Sequence, residues 1–379
     1  MLLILVVVLG NLMIIERLKS KSFLTPVLLW LLFVGIMSIL LQVGDVKYDS
    51  LTRTLIQWDG QHYLSIARDG YKAFPCDYNP DYTCGNIGWF PLYPMIGEAL
   101  KVTGIDVRAV MIGISWLALL VALVLLFQIL EEAFSYRTAL AAITALLLFP
   151  SSLYYLTAFP YSVYLLLAVL VFRSIQVERY FWLPLWTGLL AVTYPSGIII
   201  GLPVLWVLIR RWGKASTWAR LQLVGALVAI GSALLLYCLY YWWKFDDFFL
   251  YLHFQGQSYY AHEPAFPLVT MYHALAEAPV RSGVFISLVL TIAATVLFYK
   301  KRLPVAWQLF MFGVLLFTPT MGTCDCYYRH IVVAFPLFAM IGMSTESRLG
   351  RWMFAGYALV SLYFMVDFFV PLYRAGMMM

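Results

Sequence analysis

Charge is scarce in this chain of 379 residues: Asp, Glu, Lys and Arg together make up 12% of it, against roughly 25% in a soluble domain. With 63% hydrophobic residues, 17% aromatics and a mean hydropathy of +0.85, a soluble fold is excluded. Cysteine is sparse as well. The five cysteines form no C-x-x-C pair, which removes the usual zinc and iron–sulfur spacings. The sequence has neither an H-E-x-x-H pair nor a G-x-S-x-G run in an apolar segment, so it carries no intramembrane protease signature. Alternation of polar and apolar residues over about 10 positions, the mark of an outer-membrane barrel, is missing too; apolar runs instead extend to about 20 residues, as in 109–130.

What is present is a series of apolar runs, at 1–15, 24–42, 109–130, 138–158, 161–174, 180–193, 195–209, 221–243, 282–299, 304–320, 331–345 and 352–372. They predict an all-α polytopic membrane protein of about 11 to 12 segments, one integral membrane domain over 1–379. Run 1–15 has no basic n-region and is not read as a signal peptide; it is short for a full span. Placing Arg17, Lys19 and Lys21 in the cytoplasm puts 15 of the 25 Lys/Arg but only 5 of the 19 Asp/Glu on that side. Arg210, Arg211, Lys214 and Arg220 fall inside without adjustment, as do Lys300, Lys301 and Arg302. The formal charge of +6 is thus sorted by membrane side and does not point to nucleic acid.

Two polar loops then lie outside, 43–108 and 244–281. The second mixes Phe248, Phe249, Tyr251, Phe254, Tyr259, Tyr260 and Phe266 with Asp, His and Gln, which suits either an amphipathic helix on the membrane surface or a plain interfacial aromatic belt. Cys76 and Cys84 share the first loop and form a candidate disulfide; Cys324 and Cys326 are too close in sequence to bridge each other without strain. Between Arg179 and Arg210, both expected inside, about thirty residues would span roughly 45 Å as one helix, too long for a core of about 30 Å. A bend at Tyr194, Pro195, Ser196 and Gly197 resolves this, and Phe149–Pro150 and Phe159–Pro160 break 138–174 likewise. Broken helices either line a binding site or are simply kinks packed against neighbours.

The strongest signal is QWDGQHYLSIARDGY (57–71) followed by GWFPLYP (88–94). On a helix, Asp59, His62 and Tyr63 share a face, with Trp58 and Tyr63 as interfacial anchors and Asp59 turned inward. A carboxylate there can take a proton from a hydroxyl nucleophile; alternatively, Asp59 is an ordinary N-cap. Asp69–Gly70 reads as a helix stop.

The run WDGQHYLSIARDGY with WFPLYP resembles the opening block of the PIG-V-like mannosyltransferases, the family of the second GPI mannosyltransferase and its prokaryotic relatives. FPSSLYYLTAFPYSVYLLL (149–167) and YYRHIVVAFPLF (327–338) are similar to that family's later blocks, in the same order. The resemblance implies a GT-C-type multispan helical fold. It also implies a glycosyltransferase whose essential aspartate, here Asp59, lies in the first large extracytoplasmic loop, and whose donor is a lipid-linked sugar phosphate. Two positions depart from the pattern: Val163 stands where the second block carries a glutamate, and the late Arg-Tyr pair reads Arg329, His330.

An anionic, highly apolar donor needs a cation for its phosphate. Arg329 fits, with His330 assisting and Arg68 as a second candidate; against this, Arg329 snorkels to headgroups or pairs with Asp325. His62 joins Asp59 as a catalytic candidate, and Trp58, Tyr63, Trp89, Tyr93 and Tyr328 are candidate walls of the substrate cavity. A single phosphodiester leaving group requires no metal. There is no D-x-D motif, and the adjacent Asp246 and Asp247 read as surface charge, with a divalent ion as the alternative. The expectation is therefore an inverting hexosyltransferase moving mannose from a polyprenyl phosphate to a lipid or glycan acceptor. Its active site would be extracytoplasmic, in a prokaryotic plasma membrane or, in a eukaryote, the endoplasmic reticulum. A lipid flippase or transporter and a non-catalytic scaffold are the competing expectations.

Overall fold

The computed structural model describes residues 20–43, 50–257, 263–277, 303–324 and 326–376. The expected segments 1–15 and 282–299, the cations Arg17, Lys19, Lys300, Lys301 and Arg302, and Tyr259, Tyr260 and Asp325 lie outside the described residues.

Four described helices are long and apolar enough to cross a membrane: α1 (Lys21–Leu40), α5 (Val107–Ala133), α10 (Thr217–Phe245) and the run Arg348–Arg374. That last run is α16 (Arg348–Phe364), a wide turn (Met365–Phe369) and α17 (Val370–Arg374). Only α5 is mostly buried; the other three show most of their surface, with Leu28, Leu32, Leu236 and Leu359 exposed as lipid-facing residues would be. An all-round apolar helix such as α5 has no polar face to give to water, so it becomes the hub on which α1, α6 (Tyr136–Leu148) and α7 (Tyr161–Gln176) pack.

Elsewhere small residues permit close crossings, as expected where lipid removes the hydrophobic drive between helices. At Gly342 in α15 (Phe335–Ser344) a Cβ would lie 2.5 Å from the Thr138 carbonyl oxygen of α6. At Gly188 in α8 (Leu183–Ala191) it would lie 3.3 Å from the Ala229 oxygen of α10, and the Thr187 hydroxyl donates to the Ala226 carbonyl at 2.8 Å.

The proline breaks appear where the sequence puts them. α6 ends at Leu148 and a 3₁₀ turn takes over at Pro150–Tyr155; α8 ends at Ala191 and a 3₁₀ turn runs Pro195–Ile200 into α9 (Gly201–Arg211). Run 331–345 is shorter than expected, since its first turns belong to α14 (Tyr327–Ile331) before α15 begins at Phe335. Val305–Thr320 forms α13, a further apolar helix.

The first polar loop holds α2 (Leu51–Thr54), α3 (Asp59–Asp69), α4 (Leu92–Ala99) and a two-stranded antiparallel hairpin, β1 (Ala73–Cys76) and β2 (Asn79–Gly85). The hairpin was not expected; its strands are too short to show a period, and its Asp77-Tyr78-Asn79-Pro80 corner reads only as loop. Cys76 and Cys84 are disulfide-bonded across it. Gly85 sits at φ +130°, where a Cβ would lie 2.0 Å from the Lys72 oxygen, so only glycine closes the hairpin base. The second loop holds α11 (Leu250–Gln255) and α12 (Pro267–Glu277); Leu252, Leu268 and Tyr272 on these helices are exposed, as are Phe249 and Phe266 just ahead of them.

Candidate active site

The candidate base stands at the start of α3, one residue after a backbone outlier. Trp58 has φ 45° and ψ −120°, the first inner position of a turn closed by the Gly60 N–H donating to the Gln57 carbonyl at 2.9 Å. Side chains rarely adopt this conformation, and it persists only where the surroundings over-determine it. They do so here. The buried Gln57 amide donates to the Thr54 and Tyr373 carbonyls, 3.0 and 2.9 Å, which ties the loop to α17. The Trp58 ring meets Tyr373 edge-on at 4.8 Å. Ala158 N–H donates to the Leu55 carbonyl, and Gly60 leaves room for the Ala158 oxygen. Asp59 is therefore the first residue of α3 and not its N-cap.

Arg329 arrives by a parallel device. Cys326, at φ 54° in the left-handed region, stands at the N-cap position just before α14. Three buried hydroxyls fix that helix: Ser151 donates to the Tyr328 carbonyl, Tyr155 to Val332, and Tyr327 to Leu315. The result is a contact between the candidate base and the candidate phosphate-binding cation. Nη2 of Arg329 lies 2.9 Å from Oδ2 of Asp59, with the side chains 14% and 24% exposed. The guanidinium also lies over the Phe159 ring at 5.6 Å. Among the described residues, its buried Nε has no hydrogen-bond partner.

Around this pair the remaining residues divide. His62 stacks on Trp89 at 3.6 Å and 9°; burial pushes its imidazole below the ordinary range, with Asp59 pulling the other way. His330 Nδ1 meets the Tyr194 hydroxyl. Trp58, half-buried, packs on the core, whereas Tyr63 is buried against Tyr93 and Phe159 and is not the interfacial anchor expected. Tyr93 is buried too, its hydroxyl bonded to the Met111 carbonyl and Ser115. Tyr328 packs edge-on to Phe369. Arg68 is exposed on the far side of α3, where its carbonyl accepts from Lys101; the fold does not bring its side chain to the pair. Asp247 is engaged by His253 at 2.7 Å and by the Phe249 N–H, with Asp246 capping α10. Among the described residues no group of three or more His, Cys, Asp or Glu is placed to hold a metal ion.

Phe159, Tyr161 and Tyr194 were not singled out for chemistry in the sequence. The Phe-Pro and Tyr-Pro breaks marked their positions, but proline signals a bend and says nothing of which ring faces a charge.

The arrangement is similar to a known fold. ArnT from Cupriavidus metallidurans bound to undecaprenyl phosphate matches with a TM-score of 0.53 and 15% identity over 87% of this chain and 63% of that one. An oligosaccharyltransferase from Archaeoglobus fulgidus in the apo form gives 0.49 and 12% identity over 94% of this chain and 56% of that one. The chain thus spans less than two thirds of the length of either neighbour. No protein-family model and no curated protein matches the sequence. The fold is a multispan helical one of the GT-C type, and the chain is an integral membrane protein.

Proposed function

We propose that this chain is a membrane glycosyltransferase. It moves a hexose, mannose on the resemblance of its three sequence blocks, from a polyprenyl-phosphate donor to a lipid-linked or cell-envelope acceptor on the extracytoplasmic face. The observation that carries this reading is the Asp59–Arg329 pair, a carboxylate and a guanidinium from distant segments meeting at 2.9 Å with both side chains largely shielded. The two ions supply complementary halves of one displacement. Asp59 removes the proton of the acceptor hydroxyl as it attacks the anomeric carbon, and Arg329 takes the departing phosphate, for which its planar fork is suited.

An unused donor supports the assignment. Nε of Arg329 is buried without a partner among the described residues, a state that costs about 1–3 kcal/mol; a phosphate oxygen satisfies it. The phosphate competes with Asp59 for the same guanidinium, so donor arrival frees the carboxylate to act as base. The ArnT neighbour, bound to undecaprenyl phosphate, supports a lipid phosphate as the donor's anionic part. Arginine neutralises a single phosphodiester, so no metal is required by this route.

Purified protein in native lipid extract, offered radiolabelled polyprenyl-phosphate mannose or nucleotide-linked mannose, tests the proposal. Transfer is expected from the polyprenyl donor alone, and D59N is expected to abolish it while remaining folded. Full activity in D59N removes Asp59 from the chemistry. Label that crosses the bilayer without a new glycosidic bond replaces this reading with a flippase.

A further inference from the structure

A circuit of side chains leads from Arg329 back to its neighbour in sequence, and apart from Arg329 itself the mechanism above uses none of it. The guanidinium lies over Phe159. Phe159 stacks on Tyr161 at 5.8 Å and 11°. The Tyr161 hydroxyl meets the Tyr194 hydroxyl at 3.4 Å, and the Tyr194 hydroxyl meets Nδ1 of His330 at 2.5 Å. His330 then follows Arg329 directly in α14, which closes the circuit.

Tyr194 has little latitude in this ring. Its backbone is extended, φ −160° and ψ 150°, as a residue preceding proline must be. Three residues later a Cβ on Gly197 would lie 2.0 Å from the Leu190 oxygen, so the break between α8 and the 3₁₀ turn is closed-packed. The hydroxyl is held between the Tyr161 hydroxyl and Nδ1 of His330, and what matters is where its single proton points. A phenol has one O–H donor. If Nδ1 of His330 accepts it, the donor is spent. If Nδ1–H donates instead, the Tyr194 oxygen is the acceptor and its own proton is released to another partner. Besides His330 and Tyr161, which bond to it, the groups that act on the Tyr194 hydroxyl include Tyr63 and both members of the ion pair, Arg329 and Asp59.

Resting on the reading of the site given above, we propose that His330 donates through Nδ1–H to Tyr194, and that the Tyr194 hydroxyl so oriented is a second hydrogen-bond donor to the phosphate held by Arg329. Tyr194 is then a binding residue. His330 is a positioning residue that acts through it, and phosphate recognition becomes a cradle of one cation and one neutral donor.

The test is equilibrium binding to the full chain in nanodiscs, with undecaprenyl phosphate and inorganic phosphate as separate probes, for wild type, Y194F, H330F and H330N. Asparagine keeps a side-chain N–H near the Nδ1 position, whereas phenylalanine keeps only the bulk. Loss of a hydrogen bond to a charged group predicts roughly tenfold or more weaker binding of both probes by Y194F and H330F, with H330N staying within about threefold of wild type. Unaltered binding by Y194F overturns the inference. So does weakening confined to undecaprenyl phosphate, which would place Tyr194 against the lipid chain. Equal losses in all three variants, with a lowered melting temperature, mean that the ring is only packing. Wild type that binds neither probe brings down the phosphate role of Arg329, whereas wild type that binds with Y194F unaffected brings down this inference alone.

Discussion

Removing one member of the Asp59–Arg329 pair should destabilise the protein more than removing both. At 2.9 Å and an effective dielectric constant of about 20, the attraction is roughly 6 kcal/mol, and desolvation of two largely shielded ions offsets much of it. D59N leaves the Arg329 charge over Phe159 without its counter-ion, and R329Q strands the carboxylate at the start of α3. Each is expected to lose about 2–4 kcal/mol. The double variant, with two neutral amides in place of the ions, is expected to lose no more than about 1 kcal/mol, so a double-mutant cycle returns a coupling energy of at least about 3 kcal/mol. Equilibrium unfolding in mixed micelles reads these differences. Salt of about 0.5 M should change the coupling little, because screening acts weakly on a pair hidden from solvent. All three variants should be inactive in transfer, so that the double variant recovers the fold without the chemistry. Losses that add to within about 0.5 kcal/mol would refute the reasoning, since they would mean that the two ions do not share one free energy.

Two further outcomes follow from the same geometry. Burial holds the His62 imidazole below its ordinary 6.5, so in the window below 6.5 the unfolded chain binds more protons than the folded one, and stability falls as pH falls through that window. His62→Gln should flatten the stability curve below pH 6.5 and leave its slope above unchanged; an unchanged acid slope would show that His62 is not the group titrating. Gly342→Ala drives a methyl to 2.5 Å from the Thr138 oxygen and 2.8 Å from the Ala142 nitrogen and should cost about 1–3 kcal/mol by overpacking. Gly113→Ala, which meets nothing within 4 Å, should be neutral or slightly stabilising; equal effects at the two sites in thermal unfolding would contradict the close α6–α15 crossing.

Much of this fold was legible in the sequence because its signals are local. Leu148 and Ala191 end their helices just ahead of Phe149–Pro150 and Tyr194–Pro195, since a proline withholds a donor and forces its predecessor out of the helical region. Asp59 and Arg329 were both nameable as site residues, one from a helix start in a polar loop and one from a cation beside an apolar run. Their contact was not, because Oδ2 and Nη2 meet only once Ser151 and Tyr155, distant in sequence from both residues, bond to the backbone of the helix that carries Arg329 and Tyr327 ties that helix to Leu315. Tyr63 misled for a related reason. An amphipathic ring looks like an interfacial anchor until Phe159 and Tyr93 are seen to cover it.

The placement of backbone strain argues that the pair is a built feature. Among the described residues four non-glycine positions have positive φ: Trp58, Glu178, Asp246 and Cys326. Two of the four stand one residue before Asp59 and three before Arg329. A residue at Trp58's φ and ψ costs of order 1–3 kcal/mol, a loss that a neutral turn residue such as glycine would avoid. Tryptophan is retained there because its ring against Tyr373, together with the Gln57 amide on the Tyr373 carbonyl, clamps the turn to α17. The turn then fixes the direction in which α3 starts, and hence where the Asp59 carboxylate points. Preorganised charge is what a displacement at an anomeric centre uses best, because dipoles already in place need no reorganisation as the bond breaks. Trp58→Gly relieves the strain but gives up the ring's packing on Tyr373 and the core. Stability should therefore fall by less than the roughly 3–5 kcal/mol that loss of a buried tryptophan costs, while Asp59 loosens and transfer should fall even though no reacting group has been altered. A fall in stability with transfer intact would mean that the strained turn serves the fold and not the chemistry.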